Sequence, residues 1–149
     1  MNTTQKTNVM RLLDAAGIAY ESKSYPVDEQ DLSAVHAAAM LGLNVEILFK
    51  TLVLQGDKVK YFVCCIPGAE EVDLKKAAKA AGDKKAEMLP MKELPAVAGY
   101  VRGGCSPIGM KKKFPLFIDE TCMLHERIAV SAGVRGTMLL VSPEALIRY

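Results

Sequence analysis

Apolar residues recur at helical spacing from Thr4 to Ala16, where Val9, Leu12, Leu13 and Ala16 share one stripe and Gly17 ends the run. The same spacing predicts a helix over Leu32–Leu41, with Asp31 or Ser33 as N-cap and Gly42 just past its end. A third helix is expected over Val72–Ala81, capped by Asp73 and stopped by Gly82, with Leu74, Ala77, Ala78 and Ala81 turned inward. Between these runs the period changes. Ile18–Tyr25 predicts a strand that ends before Pro26. FKTLVLQ (Phe49–Gln55) and VKYFVCCI (Val59–Ile66), joined by a turn at Gln55–Lys58, predict a β-hairpin. In its first strand Lys50 shares a face with Leu52 and Leu54, while Thr51 and Val53 share the other. A lysine on a leucine face either snorkels at a strand end or lines a cleft, and the pattern leaves both open.

The remaining elements are short. Asn44 is placed to cap one turn at Val45–Leu48. A strand is expected at Glu87–Leu89, a brief helix at Pro90–Val97 and a strand at Phe114–Asp119. A turn or short helix at Thr121–Glu126 leads to strands at Arg127–Ser131 and Thr137–Val141, and Ser142 with Pro143 opens a final helix. Six or seven strands mixed with four or five short helices fit neither a doubly wound sheet nor a barrel. The expected fold class is α+β, a single domain over residues 1–149 with one mixed, strongly curved sheet and flanking helices.

Composition narrows the function. A net charge of +2 gives no global field toward nucleic acid, so such binding needs local clusters. Lys75, Lys76 and Lys79 on the outer face of the third helix, and Lys111, Lys112 and Lys113 in one run, are the candidates. No apolar run reaches 18 residues and the N-terminus lacks a secretory apolar core, so a cytoplasmic protein without a membrane partner is expected. The four cysteines show no C-x-x-C spacing, so no metal and no cofactor are expected. Cys64 and Cys65 point to opposite faces of their strand as buried thiols. His36 and His125 stand far apart, and G-x-S-x-G, P-loop and H-E-x-x-H patterns are absent.

The densest chemistry lies in VRGGCSPIGMKKK, Val101–Lys113. Its glycines permit close backbone approach, Pro107 stiffens the loop, and cations follow. Cys105 sits beside those cations, which could favour a thiolate, but it is not read as the nucleophile. Lys50, the Thr51 hydroxyl, the loop amides from Gly103 to Gly109 and Ser131 form a set that can bind and polarise an anionic or ester substrate without an obvious nucleophile. Read by itself, the loop is better explained as a tight turn beside a solvated basic patch, since turn chemistry alone accounts for its Gly and Pro.

FKTLV at Phe49–Val53, VDLKKAAKAAG at Val72–Gly82, GYVRGGCSPIGMKK at Gly99–Lys112 and VSAGVRG at Val130–Gly136 resemble the YbaK/EbsC family in content, order and spacing, over nearly the whole chain. The resemblance implies a free-standing relative of the editing domain of some prolyl-tRNA synthetases, with a curved α+β fold. It implies hydrolysis of mischarged aminoacyl-tRNA, most closely Cys-tRNA(Pro), with the substrate's own thiol attacking its ester. The alternatives are an Ala-tRNA(Pro) deacylase that activates water and a non-catalytic ligand- or RNA-binding module. Under the resemblance Lys50 is the central catalytic residue. Tyr25, Thr51, Gly103, Gly104, Cys105, Ser106, Pro107, Gly109 and Ser131 bind substrate, and Lys75, Lys76, Lys79, Lys111 and Lys112 meet tRNA phosphates. Prolyl-tRNA synthetase is the protein partner it suggests. Cys105 replaces a usual aliphatic residue, Ala132 and Val134 depart from a GGKRG-type turn, and the last helix is expected to be short.

Overall fold

The computed structural model describes residues 6–149. Thr4 and Gln5, part of the first predicted helix, lie outside the described residues. That helix, α1, runs Asn8–Ala15, and the Thr7 hydroxyl caps it by accepting from the Met10 N–H at 3.2 Å. Val9, Met10 and Leu13 are buried, whereas Ala16 is exposed as the C-cap and leaves the expected stripe. Strand β1 (Tyr20–Ser24) follows, then α2 (Ala34–Leu41), with Ser33 as the cap in preference to Asp31. A single 3₁₀ turn at Val45–Ile47, capped by Asn44, leads into β2 (Phe49–Gly56).

The hairpin closes with β3 (Phe62–Pro67), which starts three residues later than the apolar pattern suggests. Asp83 accounts for the delay. Its Oδ2 accepts from the backbone N–H groups of Lys58 and Val59, both at 2.8 Å, and draws the hairpin loop toward the end of α3 (Leu74–Ala81). Leu74 lies at the first turn of α3 and is 37% exposed, so the buried stripe reduces to Ala77 and Ala78. Then come β4 (Ala86–Met88), a 3₁₀ turn at Met91–Glu93, α4 (Leu94–Ala98) and β5 (Leu116–Ile118). A 3₁₀ turn at Glu120–Leu124, strands β6 (Ile128–Ser131) and β7 (Thr137–Val141), and α5 (Pro143–Arg148) complete the chain.

Among the described residues seven strands form two sheets where one was expected. The first is antiparallel in the order β1-β7-β6, and the second is mixed in the order β4-β2-β3-β5, with β3 and β5 parallel. A parallel bridge between Leu48 and Ala129 joins them at one point. The main core fills the space between the sheets and α1, built from Val9, Leu13, Phe49, Cys65, Ile128 and Leu139. Cys64 faces the other way, toward Leu54, Phe62 and Ala77 under α3. The alternation in FVCCI therefore serves two cores at once. Truncating Phe49 to Ala is expected to cost about 3–5 kcal/mol.

The Asp83 clamp yields an acid-stability prediction. Hydrogen bonds from the Val59 N–H above all, then from Lys58, Lys84 and Lys85, hold its carboxyl down from 3.8 to about 2. A depressed carboxyl contributes stability that is fully present above pH ~3.8 and lost as pH falls through the folded value. Asp83→Ala should therefore lower Tm at pH 7. The gap between mutant and wild type should narrow below pH 4, and thermal melts monitored by circular dichroism across pH 2–7 measure it.

Candidate functional site

A cleft of about 320 Å³ opens where β2 parts from β6. Among the described residues one bridge, Leu48–Ala129, joins the two sheets, and on the other side β4 pairs with β2 only from Leu54 onward. Residues Lys50–Val53 thus border a gap in the sheet edge. Strand parity decides which groups face it. The Gly56 N–H bonds the Val59 carbonyl within the hairpin, so the even-numbered residues of β2 turn their backbone groups toward β3. The Val53 carbonyl accepts from the Leu89 N–H on the opposite side, so the odd-numbered residues, Thr51 among them, turn theirs away from β3. Lys50 and Thr51 both line the cleft because it wraps around this free edge.

The far wall depends on a close backbone contact. Residues 101–105 pass beside the β6–β7 turn so tightly that a Cβ on Gly104 would stand 3.0 Å from the Arg135 nitrogen and 3.1 Å from the Val134 carbonyl carbon. Glycine at 104 is a packing requirement. The Arg135 Nε donates to the Arg102 carbonyl at 2.7 Å, and the Tyr100 hydroxyl donates to the Ile108 carbonyl. The Tyr100 ring lies 3.1 Å from where a Cβ on Gly133 would stand. These contacts hold the glycine loop and the Ser131 turn as one unit.

Six of the residues singled out from sequence meet in the cleft: Tyr25, Lys50, Thr51, Gly103, Cys105 and Ser131. The others separate from them. Ser106 is wholly buried and its hydroxyl accepts from the Ile108 N–H at 3.2 Å, so it shapes the loop. The Gly104 N–H bonds the Val101 carbonyl at 2.9 Å and is not free for an anion. Pro107, Gly109 and Lys112 line a second hollow of about 810 Å³ with Lys113 and Arg148, which shares no lining residue with the first. Lys111 is exposed beside that hollow. Lys75, Lys76 and Lys79 are exposed on α3, which packs on the Lys50–Leu54 face of β2.

Burial opposes the thiolate that neighbouring cations could favour at Cys105. The side chain is buried in the cleft wall, and desolvation pushes its thiol up to about 12. The nearby lysines lie along the loop in sequence and point outward in space. The Ser131 hydroxyl accepts from the Gly133 N–H at 3.1 Å and forms a turn. The Thr51 hydroxyl lies 3.9 Å from the Cys65 sulfur. Lys50 is half-buried with no carboxylate partner among the described residues, which leaves its ammonium available to a ligand. No group of three or more potential metal-ligating side chains occurs among the described residues.

Sequence reasoning missed Arg102 and an apolar wall. Arg102 lines the cleft one residue before Gly103, and its place in the glycine motif was a usable signal. Met88, Leu89, Met91 and Leu94 form the wall, and Met138 adds a third methionine. They come from β4 and the residue after it, a 3₁₀ turn, α4 and β7, where no common period marks them.

Two outcomes check this geometry. Gly104→Ala should cost about 1–3 kcal/mol, read as a lower Tm, because backbone must give way to the new methyl. Native iodoacetamide labelling at pH 8, followed by mass spectrometry, should leave Cys105 unmodified, since alkylation requires the thiolate.

The family profile of the aminoacyl-tRNA editing domain matches residues 28–149. The chain is 48% identical over 145 residues to the proposed Cys-tRNA(Pro)/Cys-tRNA(Cys) deacylase EbsC of Enterococcus faecalis (strain ATCC 700802 / V583), covering 97% of this chain and 88% of that protein. Among solved structures, a proposed trans-editing enzyme for prolyl-tRNA synthetase superposes with a TM-score of 0.81 at 22% identity, over 97% of this chain and 92% of the other. The hypothetical protein APE2540 superposes with a TM-score of 0.85 at 21% identity, over 94% and 91%. These two structures share the fold of this chain. The chain belongs to the aminoacyl-tRNA editing domain family, and aminoacyl-tRNA is the substrate class that this membership brings.

Proposed function

We propose that this protein is a trans-editing deacylase that cleaves Cys-tRNA(Pro) through the substrate's own thiol. The observation that carries the reading is a cleft with a cation and backbone polar groups but no activated nucleophile. Burial pushes the Cys105 thiol up, the Ser131 hydroxyl is engaged with Gly133, and Lys50 has no carboxylate partner among the described residues. Such a site orients and polarises an ester, and the attacking atom then has to arrive with the substrate. The cysteinyl sulfur forms a bond to its own ester carbonyl carbon. The bond from that carbon to the 3′-terminal ribose oxygen breaks, and the thiol proton ends on that oxygen. The resulting thiolactone opens in water.

Lys50 steadies the negative charge that develops on the carbonyl oxygen, and the methionine wall receives the small thiol side chain. Tyr25, Gly103 and Arg102 contact the terminal adenosine and its phosphate. Lys75, Lys76 and Lys79 track tRNA phosphates farther out, with Lys111 and Lys112 as a second patch. The match to EbsC supports the cysteinyl substrate. Prolyl-tRNA synthetase as a docking partner rests on the likeness to a proposed trans-editing enzyme for that synthetase.

Lys50→Ala should lower kcat/KM for Cys-tRNA(Pro) at least about a hundredfold. Ser-tRNA(Pro), with a hydroxyl for the thiol, should be cleaved at least about a hundredfold more slowly than the cysteinyl ester. Equal rates would overturn the substrate-thiol step. Affinity for tRNA should fall steeply with salt, and each Lys→Ala change at 75, 76 or 79 should reduce the log–log slope by about 0.9.

A further inference from the structure

The strand parity on both sides of the cleft leads further than the side chains do. On β6 the Ala132 N–H bonds the Thr137 carbonyl at 3.1 Å, so Ala132 and Val130 direct their backbone groups to β7. Ala129 and Ser131 therefore direct theirs to β2, consistent with the Leu48–Ala129 bridge. On β2 Thr51 faces the same gap from the other side. Had the parallel ladder continued past Leu48–Ala129, its next rungs would have included the Thr51 N–H donating to the Ser131 carbonyl. The regular bridging stops at Leu48–Ala129, and Thr51 and Ser131 both line the cleft beyond it.

Both residues are buried, Thr51 at 8% and Ser131 at 7% exposure, and buried backbone donors and acceptors require partners. Their side chains are turned elsewhere, Thr51 to Cys65 and Ser131 to Gly133. Strand parity thus directs one donor, from β2, and one acceptor, from β6, toward the slot that both residues line. An α-amino ester carries the complement, an ester carbonyl oxygen that accepts and an ammonium on the adjacent carbon that donates.

We propose that the aminoacyl group completes the missing rung, its ester carbonyl accepting from the Thr51 N–H and its α-ammonium donating to the Ser131 carbonyl. This rests on the deacylase reading and extends it to a substrate class. The site takes esters of free α-amino acids and discriminates against acyl groups that lack the ammonium. The Thr51 N–H also meets the carbonyl oxygen as its charge grows, which adds to the contribution of Lys50. Because the recognition is by backbone, it is independent of the residue types at 51 and 131. It leaves the choice among amino acids to the methionine wall.

The test compares Cys-tRNA(Pro) with 3-mercaptopropionyl-tRNA(Pro), which keeps thiol and ester and lacks only the ammonium. Each rate is divided by the spontaneous hydrolysis of the same ester, which removes the ammonium's inductive effect. The expected acceleration for the mercaptopropionyl ester is about a hundredfold smaller, the scale of a lost charge-assisted hydrogen bond. Accelerations within threefold of each other would overturn the rung. A second arm uses Thr51→Pro, which deletes the N–H at an edge where no β2–β3 ladder bond is lost. If its melt shows a folded protein, kcat on Cys-tRNA(Pro) should drop at least about tenfold, and an unchanged kcat counts against the proposal. If it does not fold, the mercaptopropionyl comparison decides. Failure of the wild type to cleave Cys-tRNA(Pro) at all would instead remove the deacylase reading on which the rung depends.

Discussion

The divergence of β2 from β6 after a single bridge is the constraint on which the rest of the molecule depends. Two sheets that paired for longer would have merged and left no cleft. Two sheets with no bridge would have left Lys50 and Ser131 without a fixed relation. The Leu48–Ala129 bridge fixes the angle at which the strands part, and the core around Phe49 and Ile128 holds that angle. The slot is therefore lined by backbone from two rigid strands, which gives a site little freedom to drift.

The glycine loop closes the other side through contacts that glycine makes possible. Gly104 lets the loop lie backbone against backbone on Val134 and Arg135, and Tyr100 ties the loop's later part to the same turn. One face of this loop then belongs to the cleft, through Gly103 and Cys105, and the opposite face to the second hollow, through Pro107 and Gly109. A motif that reads as one anion-binding segment is, in space, a partition between two depressions.

Much of the fold was legible because its signals are local. Capping residues Ser33, Asn44, Asp73 and Ser142 act where the sequence marks them, β6 starts one residue later than predicted, the last strand keeps its predicted limits and the final helix starts where predicted. The hairpin's parity correctly divided Lys50, Leu52 and Leu54 from Thr51 and Val53. What sequence pattern missed depends on long-range geometry. Asp83 shortens β3 from 24 residues away, through bonds that no local period records. The split into two sheets is a property of how segments distant in the chain approach, as Leu48 and Ala129 do. The lysines that follow Cys105 in the chain left a thiolate there open, and burial, which sequence adjacency does not record, pushes its thiol up. Lys50 remained undecided until the gap beside it was known, since alternation tells which face a side chain occupies and not what covers that face.

The most direct test of the central claim, that the cleft between β2 and β6 receives the aminoacyl end, is backbone amide NMR. Isotope-labelled protein is titrated with a non-hydrolysable 3′-cysteinylamido-adenosine. The account predicts the largest amide shifts at Thr51, Gly103 and Ser131, with little change at Ile108–Lys113 and Arg148. Shifts concentrated around the second hollow, with Thr51 and Ser131 unmoved, would contradict it and assign ligand binding to the other face of the glycine loop.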